Sequence, residues 1–195
     1  MAIVKRRDSS SDWQVGHRAS GQSSNFAYHT NLNDTSQLSG STPYHMGSQS
    51  ATNGDRLYLA SGGLTSSATY VAYVWQERPG YSNFGSYKGN GSSDGSFVET
   101  GFRPAFVLTK IVDTINENWT ISDSTRSTYN PVDAFLRPDE STAETSGAAT
   151  MDFLSNGFKL RTSDSKTNRD GGLFIYMAFA ERPHVSPFGT QSNAR

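Results

Sequence analysis

Two stretches of this sequence have the same form, and they decide the expected fold. Residues 171–183 read GGLFIYMAFAERP, and residues 67–79 read SATYVAYVWQERP. Each stretch is a run of aromatic and β-branched residues that ends in Glu-Arg-Pro. Such runs favour β-strands, and they are too apolar for a strand that is buried on one face only. Both therefore predict central strands, covered on both faces and stopped by a proline that cannot donate to a ladder.

Other landmarks repeat in the same order along the chain. Glu77 aligns with Glu181 at 181 − 77 = 104 residues, and Trp13 aligns with Trp119 at 119 − 13 = 106 residues. Landmarks in one order with drifting offsets predict an internal duplication with loop insertions, and chance likeness between common strand patterns is the alternative. Because both tryptophans recur, we expect them to be buried in a shared core role. Two further pairs of matching phrases are AIVK (2–5) with AFVLTK (105–110), and ATNGDRLYLAS (51–61) with LSNGFKLRTS (154–163).

The duplication predicts a first repeat over residues 1–79, a second repeat over 80–183 and a C-terminal tail over 184–195. The second repeat has a leader, residues 80–110, that the first repeat lacks. Either the chain is a fragment of a longer array, or another subunit supplies the missing strand. Asn-Gly pairs indicate turns before strands, GFKLRT (157–162) alternates with a period of two, and no window has a convincing helical period. The predicted fold class is an all-β, antiparallel β-sandwich, jelly-roll or concanavalin-like, built from two tandem pseudo-repeats.

Composition narrows the classes of function. The chain has 195 residues with 17 Lys and Arg against 18 Asp and Glu, a net charge of −1. This balance is unlike the basic excess of nucleic-acid-binding domains, and no apolar run approaches the ~20 residues that cross a bilayer. Cysteine is absent, which excludes disulfides and thiolate metal sites. A loop-rich chain without disulfides must gain its stability from core packing or from partner subunits.

Three aromatic residues form the candidate glycan site. Tyr81, Phe84 and Tyr87 lie in a stretch rich in Gly, Ser and Asn, where burial in a core is not required. Exposed aromatic faces stack on sugar rings, and loop Asn, Asp and Ser side chains can bond their hydroxyl groups. The alternative is that the leader is a strand that crosses the sandwich and places these rings in the core or between subunits.

Other candidate sites favour structural roles. The run SDSKTNRDGG (163–172) places Asp164, Asn168 and Asp170 before a glycine, like a calcium loop, but it lacks the alternate spacing and the closing Glu; a polar hairpin is the alternative. The loop GNGSSDG (89–95) has no phosphate-loop spacing and predicts a turn. The repeated Glu77 and Glu181 would be the carboxylates of a glycan hydrolase, but a neighbouring Arg favours ion pairs. No catalytic residue or cofactor is predicted. Surface positions are expected for all four histidines, His17, His29, His45 and His184.

The second repeat resembles a known domain family. Four phrases carry the likeness, in order: GYSNFGSYKGNGSSDGSFVETGFRPAFVLTK (80–110), NWTISDSTRSTYNP (118–131), DFLSNGFKLRT (152–162) and IYMAFAERP (175–183). Together they resemble a domain family common in tail-fibre and other structural proteins of marine bacteriophages. The resemblance implies a concanavalin-like or SPRY-like β-sandwich in a virion appendage, with host-surface glycans as a further partner. It brings no catalytic residues.

The expected function follows from the resemblance and from the unequal repeats. We expect a non-enzymatic phage virion structural protein, a module of a tail fibre, tailspike or capsid decoration, located in the virion and bound to its own copies and to other virion proteins. The alternative is a carbohydrate-binding adhesin. Because the first repeat lacks the strand that residues 95–106 supply to the second, its sheet should have an uncovered edge, and the N-terminal segment or the tail should contact a neighbouring subunit. The opposing hypothesis is a monomer whose edge is blunted by Lys5, Arg6 and Arg7.

Overall fold

The structure is a computed structural model of the chain, and it describes residues 1–19, 29–39, 65 and 67–181. Its described residues form strands with one short helix. In chain order these elements are β1 (Ala2–Arg6), β2 (Gln14–Gly16), β3 (His29–Asn31), β4 (Tyr70–Val74), β5 (Ser82–Lys88), β6 (Phe97–Glu99), β7 (Pro104–Ile111), β8 (Thr120–Asp123), β9 (Phe135–Leu136), β10 (Met151–Leu154), β11 (Gly157–Leu160), α1 (Ser165–Asn168) and β12 (Leu173–Ala180).

The strands form three sheets in which every described pairing between strands is antiparallel. The first sheet has the order β3-β2-β1-β4, the central sheet β5-β12-β7-β8-β9, and the third sheet β10-β11-β6. The predicted all-β, antiparallel fold is thereby confirmed, and its stacked sheets are consistent with a β-sandwich. Within the described residues, no helix is long and apolar enough to cross a lipid bilayer.

The central sheet is covered on both faces, and the alternation along β12 shows how. Phe174 and Tyr176 point into a core that they share with Phe158 of the third sheet. Ile175 lies on the opposite face and belongs to a second core. That second core also contains Ile3 and Val15 of the first sheet, together with Leu108, Trp119 and Met177 of the central sheet. The prediction that the GGLFIYMAFAERP stretch holds a central, doubly covered strand is confirmed, because successive side chains of a strand alternate between faces.

The third sheet contains the predicted Asn-Gly turn. Leu154 pairs with Gly157, so Ser155 and Asn156 form a two-residue hairpin turn between β10 and β11. Gly157 lies so close to β6 that a Cβ atom there would be 2.1 Å from the carbonyl oxygen of Val98. Only glycine lets the two backbones approach to this distance. The matching phrase of the first repeat, residues 51–61, lies outside the described residues.

The first and central sheets contain arrays with the same strand order. The array β4-β1-β2-β3 in the first sheet corresponds to β12-β7-β8-β9 in the central sheet. Ile3 pairs with Val15 and Tyr73, and Leu108 pairs with Ile121 and Met177. These are the residues that the aligned landmarks bring together. A duplicated chain would have this correspondence, and the duplication itself stays a prediction.

Strand β4 corrects the prediction for the SATYVAYVWQERP stretch. That stretch was expected to hold a central strand, but within the described part of the chain β4 pairs with β1 alone and stands at the end of its sheet. Tyr73 is 47% exposed and Val74 is 57% exposed. The two strands differ in their described neighbours: β5 flanks β12 in the central sheet, and no described strand flanks β4. Residues 95–106 do not fill that position in the second repeat, because β6 belongs to the third sheet.

The two recurring tryptophans have different environments. Trp119 is 1% exposed, as predicted, and its indole Nε1 donates to the carbonyl oxygen of Asn31 at 2.7 Å. Trp13 is only half-buried, so the prediction of a buried ring is wrong there. Its ring stacks on Tyr73 with centroids 6.3 Å apart, and the ammonium group of Lys5 lies 5.7 Å from its centroid. Trp13 lies beside the exposed strand β4. The residues that align with its neighbours Tyr73 and Lys5 are Met177 and Lys110, and both are buried.

Some predictions fall on residues that the structure does not describe. They are Pro183, the tail 184–195 and the histidines His45 and His184. Within the described residues, the run predicted as a polar hairpin, 163–172, forms the one-turn helix α1 instead. Its N-cap is Asp164, whose side chain accepts a hydrogen bond from the backbone of Lys166, and this bond starts the turn.

Candidate functional site

Two of the three candidate glycan-binding rings are core residues. Residues 82–88 form strand β5 rather than a loop, and Phe84 and Tyr87 are buried on its opposite faces. The Tyr87 ring stacks on Phe174 with centroids 4.9 Å apart, and its hydroxyl donates to the carbonyl oxygen of Thr167 at 2.7 Å. Burial raises the pKa of the Tyr87 hydroxyl. The Phe84 ring meets Phe179 edge to face at 6.0 Å.

Tyr81 is the member of this set with an accessible ring. It is 47% exposed and packs edge to face on Phe179 with centroids 5.9 Å apart. The three rings therefore do not form one sugar-binding surface. The sequence carried a sign of this, because positions 84 and 87 are an odd number apart and so lie on opposite faces of a strand.

The three candidate calcium ligands do not converge. Asp164 caps α1, and Asp170 is exposed next to the backbone of Gly91. Asn168 is fully buried and its amide is bonded to protein atoms. Among the residues that the structure describes, no group of three or more His, Cys, Asp or Glu side chains is placed to hold a metal ion.

Asn168 instead holds two loops together, a role that the sequence analysis missed. Its Nδ2 donates to the carbonyl oxygens of Ser92 and Thr162, each at 2.7 Å, and its Oδ1 accepts from the backbone of Asn90 at 3.0 Å. These bonds attach the GNGSSDG loop to α1. The loop is a structural turn, as predicted, and Asn90, Gly91 and Ser92 each form a hydrogen bond with Asn168.

The repeated carboxylates form separate ion pairs, with arginines that are distant in the sequence. Glu77 lies 3.3 Å from Arg18, and Glu181 lies 3.0 Å from Arg103. Both carboxylates are partly exposed at strand ends. Glycoside hydrolysis needs two carboxylates that face one substrate, and the two glutamates face different partners instead.

His17 is a buried histidine where the sequence predicted a surface one. It is 2% exposed, and its Nδ1 accepts from the backbone of Ala19 at 3.1 Å. The proton of the neutral ring is therefore on Nε2, which donates to the carbonyl oxygen of Tyr176 at 2.9 Å. Burial lowers the pKa of His17 to about 4, against the opposing effect of the bond to Tyr176. The residue joins the end of β2 to the middle of β12, and nothing in its sequence neighbourhood indicates this.

Lys110 is a buried cation where the two arrays meet. Its ammonium group donates to the carbonyl oxygen of Glu117. Burial lowers the pKa of Lys110, and the nearby carboxylates of Asp139, Asp34 and Glu117 oppose that shift. Asp34 belongs to the turn after β3, and Asp139 belongs to the corresponding turn after β9. The lysine thus balances charges that the turns after β3 and β9 bring to one place.

An accessible feature of the described part of the fold is the outer edge of β4, residues Tyr70–Val74, which we name the open edge. Trp75 and Met1 exchange backbone hydrogen bonds of 2.9 and 3.1 Å, and Arg7 donates to Thr69 at 2.8 Å. Because hydrogen-bonded pairs alternate in an antiparallel ladder, Tyr73 and Val71 also bond to β1. The N–H and C=O groups of the intervening residues point away from β1: Tyr70, Ala72 and Val74.

Nothing in the sequence of β4 blunts this edge. Its five residues, YVAYV, include no charge and no proline. The monomer hypothesis has this edge blunted by Lys5, Arg6 and Arg7. These residues are on or just after β1, which is an interior strand between β2 and β4. They include Lys5, whose ammonium group bonds the carbonyl oxygen of Ser11 and lies over the Trp13 ring. The devices that natural proteins use against edge pairing are therefore missing from β4 itself.

In the part of the chain that the structure describes, the fold is all-β with stacked antiparallel sheets, and the outer strand of the first sheet, β4, is exposed and uncharged. The chain belongs to the family described as a domain of unknown function, DUF7483, whose sequence profile matches residues 1–183. This single match spans both predicted repeats. No curated protein and no solved structure matches the chain.

Proposed function

We propose that the chain is a non-enzymatic structural protein of a phage virion, a module of a tail fibre, tailspike or capsid decoration that assembles as a homo-oligomer. The observation that carries the proposal is the open edge of β4, with Tyr73 and Val74 exposed beside it. Virion appendages are built by contacts between copies, and an uncharged strand edge is suited to such contacts.

The side chains that the sequence offered as candidate catalytic or metal-binding groups also support this proposal. Asn168 holds the loop 89–95, and Glu77 and Glu181 are paired with arginines. Their bonding capacity is used to fix the structure.

Two measurements test the proposal. Light scattering on the full chain should give a mass above that of the 21.3 kDa monomer, rising with concentration. Immunogold labelling of particles purified from a lysed culture that expresses the gene should place gold on the tail or the capsid. A monomer at all concentrations, or label confined to cell debris, would overturn the proposal.

The adhesin remains a second candidate because of Tyr81. Its ring is half exposed and held by its edge contact with Phe179, so an accessible aromatic face is kept in a fixed orientation. Fixed aromatic faces stack on sugars. On a glycan array, we expect Tyr81→Ala to abolish any binding by the chain, and Tyr129→Ala, at a ring that is 84% exposed, to leave it unchanged. Equal loss in both variants, or no binding by the unaltered chain, would exclude the adhesin.

A further inference from the structure

We infer that the open edge of β4 pairs with the open edge of a second copy of this chain, so that two β4 strands run antiparallel about a two-fold axis at Ala72. The inference rests on the proposed function, because it names the contact through which copies associate. It converts two four-stranded first sheets into one continuous sheet.

The central sheet shows what kind of occupant such an edge accepts. Strand β12, which corresponds to β4, is flanked by β5 in an antiparallel register that runs from Leu173 opposite Lys88 to Phe179 opposite Ser82. In the central sheet, this side of the array is therefore occupied by an antiparallel strand of the same chain. Because β5 is already bound to β12, it cannot also pair with the open edge, and none of the described strands does so. We assign this place to the β4 strand of a second copy.

The sequence of β4 is complementary to itself in this arrangement. With the axis at Ala72, Tyr70 lies opposite Val74 of the second copy, and Val71 lies opposite Tyr73. Aromatic and β-branched side chains form stabilising cross-strand pairs. The two small Ala72 side chains meet at the axis, and no like charges are opposed.

The hydrogen-bond phase of β4 fits the same register. Tyr70, Ala72 and Val74 are the residues whose N–H and C=O groups point outward, as the alternation from the Met1–Trp75 pair requires. The axis at Ala72 pairs each of these residues with another of the three. Every outward group of β4 thus finds a partner, and no group that bonds β1 is disturbed.

The size of the contact determines its strength. Stable interfaces bury roughly 1,200–2,000 Å² in total, and two five-residue edges bury less. We therefore expect a weak, concentration-dependent dimer from this contact alone. In an assembly that already holds the chains close together, the same contact would be formed far more completely, because the second association is effectively intramolecular.

Single-cysteine variants test the register directly, because the chain contains no cysteine. In Ala72→Cys, the two sulfur-bearing residues meet at the axis with Cα atoms about 5.5 Å apart, a distance that a disulfide can bridge. Tyr129→Cys, at a far more exposed position, is the matched control. Under mild oxidation we expect Ala72→Cys to give at least about ten times the yield of covalent dimer that the control gives, because its thiols are held in range.

Ala72→Pro tests the ladder without touching the bonds to β1. Proline removes the outward N–H and is tolerated at strand edges, while Ala72→Val keeps that N–H as the control. We expect both variants to keep the circular dichroism spectrum of the unaltered chain. Ala72→Pro should raise the dimer dissociation constant by about a hundred-fold, since two backbone bonds at the axis are lost. Ala72→Val should leave the dimer intact.

The other outcomes separate this inference from the proposed function. An oligomer that persists in Ala72→Pro, with no excess cross-linking in Ala72→Cys, overturns the β4 contact but leaves the homo-oligomer standing. Loss of the oligomer in Ala72→Pro without cross-linking in Ala72→Cys overturns the self-pairing and identifies a different segment as the occupant. A monomeric unaltered chain overturns both.

Discussion

The two arrays of this protein have the same strand order and opposite exposure. In the central sheet, Met177 and Ala178 are 8% and 0% exposed, whereas their counterparts in β4, Tyr73 and Val74, are 47% and 57% exposed. The two strands have similar composition, so composition does not explain the difference. β12 has β5 on its open side and the third sheet over one face, and β4 has no described strand in either position. Burial here is decided by the neighbours that a strand receives.

The arrays are nevertheless alike in a detail that no strand pattern requires. The backbone N–H of Trp13 donates to Asn33 Oδ1 at 2.7 Å, and that of Trp119 donates to Asp139 Oδ1 at 3.3 Å. Asn33 in turn donates to Asp12, and Asp139 accepts from Asn118. The two arrays have the same Asp–Asn bond with its partners exchanged (139 − 33 = 119 − 13 = 106). A duplicated chain would have this correspondence, as the sequence predicts.

The largest expected effect separates the two tryptophans. Trp119→Ala should lower the free energy of unfolding by about 3–5 kcal/mol, because it removes a fully buried ring from the core between the first and central sheets. Trp13→Ala should cost about half of that or less, since its ring is half exposed. Denaturant melts of both variants give the two values. Equal losses would mean that Trp13 is as well packed as its counterpart, and the contrast between the arrays would fail.

The sequence predicts the strands of this fold better than it predicts their neighbours. The all-β class, the central position of β12, the hairpin at Asn156 and the burial of Trp119 all follow from local patterns, because apolar runs and turn residues act over a few positions. The exposure of β4 depends on whether a distant segment pairs with it, and no local pattern contains that information. The buried His17 was missed for the same reason, since its partner Tyr176 is far along the chain. Lys110 bonds to the nearby Glu117, but the other two carboxylates around it, Asp34 and Asp139, are distant in the sequence.

The second effect depends on pH and concerns His17, which joins β2 to β12. Its pKa is lowered to about 4 by burial, so between about pH 6.5 and 4 the unfolded chain binds a proton that the folded chain does not. Stability is therefore lost as the pH falls through this window, by about 2–3 kcal/mol at pH 4.5 relative to pH 7. His17→Gln can keep the bond to the Tyr176 carbonyl oxygen but does not titrate.

Chemical denaturation of both proteins at the two pH values isolates the histidine. Carboxylates titrate in both, so the quantity of interest is the difference between the two pH-dependent losses. We expect the unaltered chain to lose about 2–3 kcal/mol more than the variant. Identical losses would show that His17 is not held neutral between the first and central sheets.

A third effect concerns the attachment of loop 89–95 to α1. The described residues of the first array show no corresponding contact. Asn168→Ala should cost about 2 kcal/mol, because it leaves the backbone N–H of Asn90 and the carbonyl oxygen of Ser92 without their partner. Ser93→Ala, at an exposed position of the same loop, is the control and should change stability by less than about 0.5 kcal/mol. Hydrogen exchange should quicken at residues 89–95 in Asn168→Ala alone. Unchanged exchange there would contradict the structural role of Asn168.

The smallest effect tests the exchanged Asp–Asn pair, and with it the equivalence of the arrays. Asn118 is buried and donates to Asp139 at 3.0 Å and to Glu140 at 2.8 Å, whereas Asp12, its counterpart, is exposed. Asn118→Ala should therefore cost about 1–2 kcal/mol, since the half-buried carboxylate of Asp139 near Lys110 loses a donor. Asp12→Ala should cost less than about 0.5 kcal/mol, because water replaces its bond. Double-mutant cycles with Asp139→Ala and Asn33→Ala measure the two coupling energies. We expect stabilising coupling energies in both pairs, with the larger value for the buried Asn118–Asp139 pair. Zero coupling energy in both pairs would show that the exchanged bond does not stabilise either array.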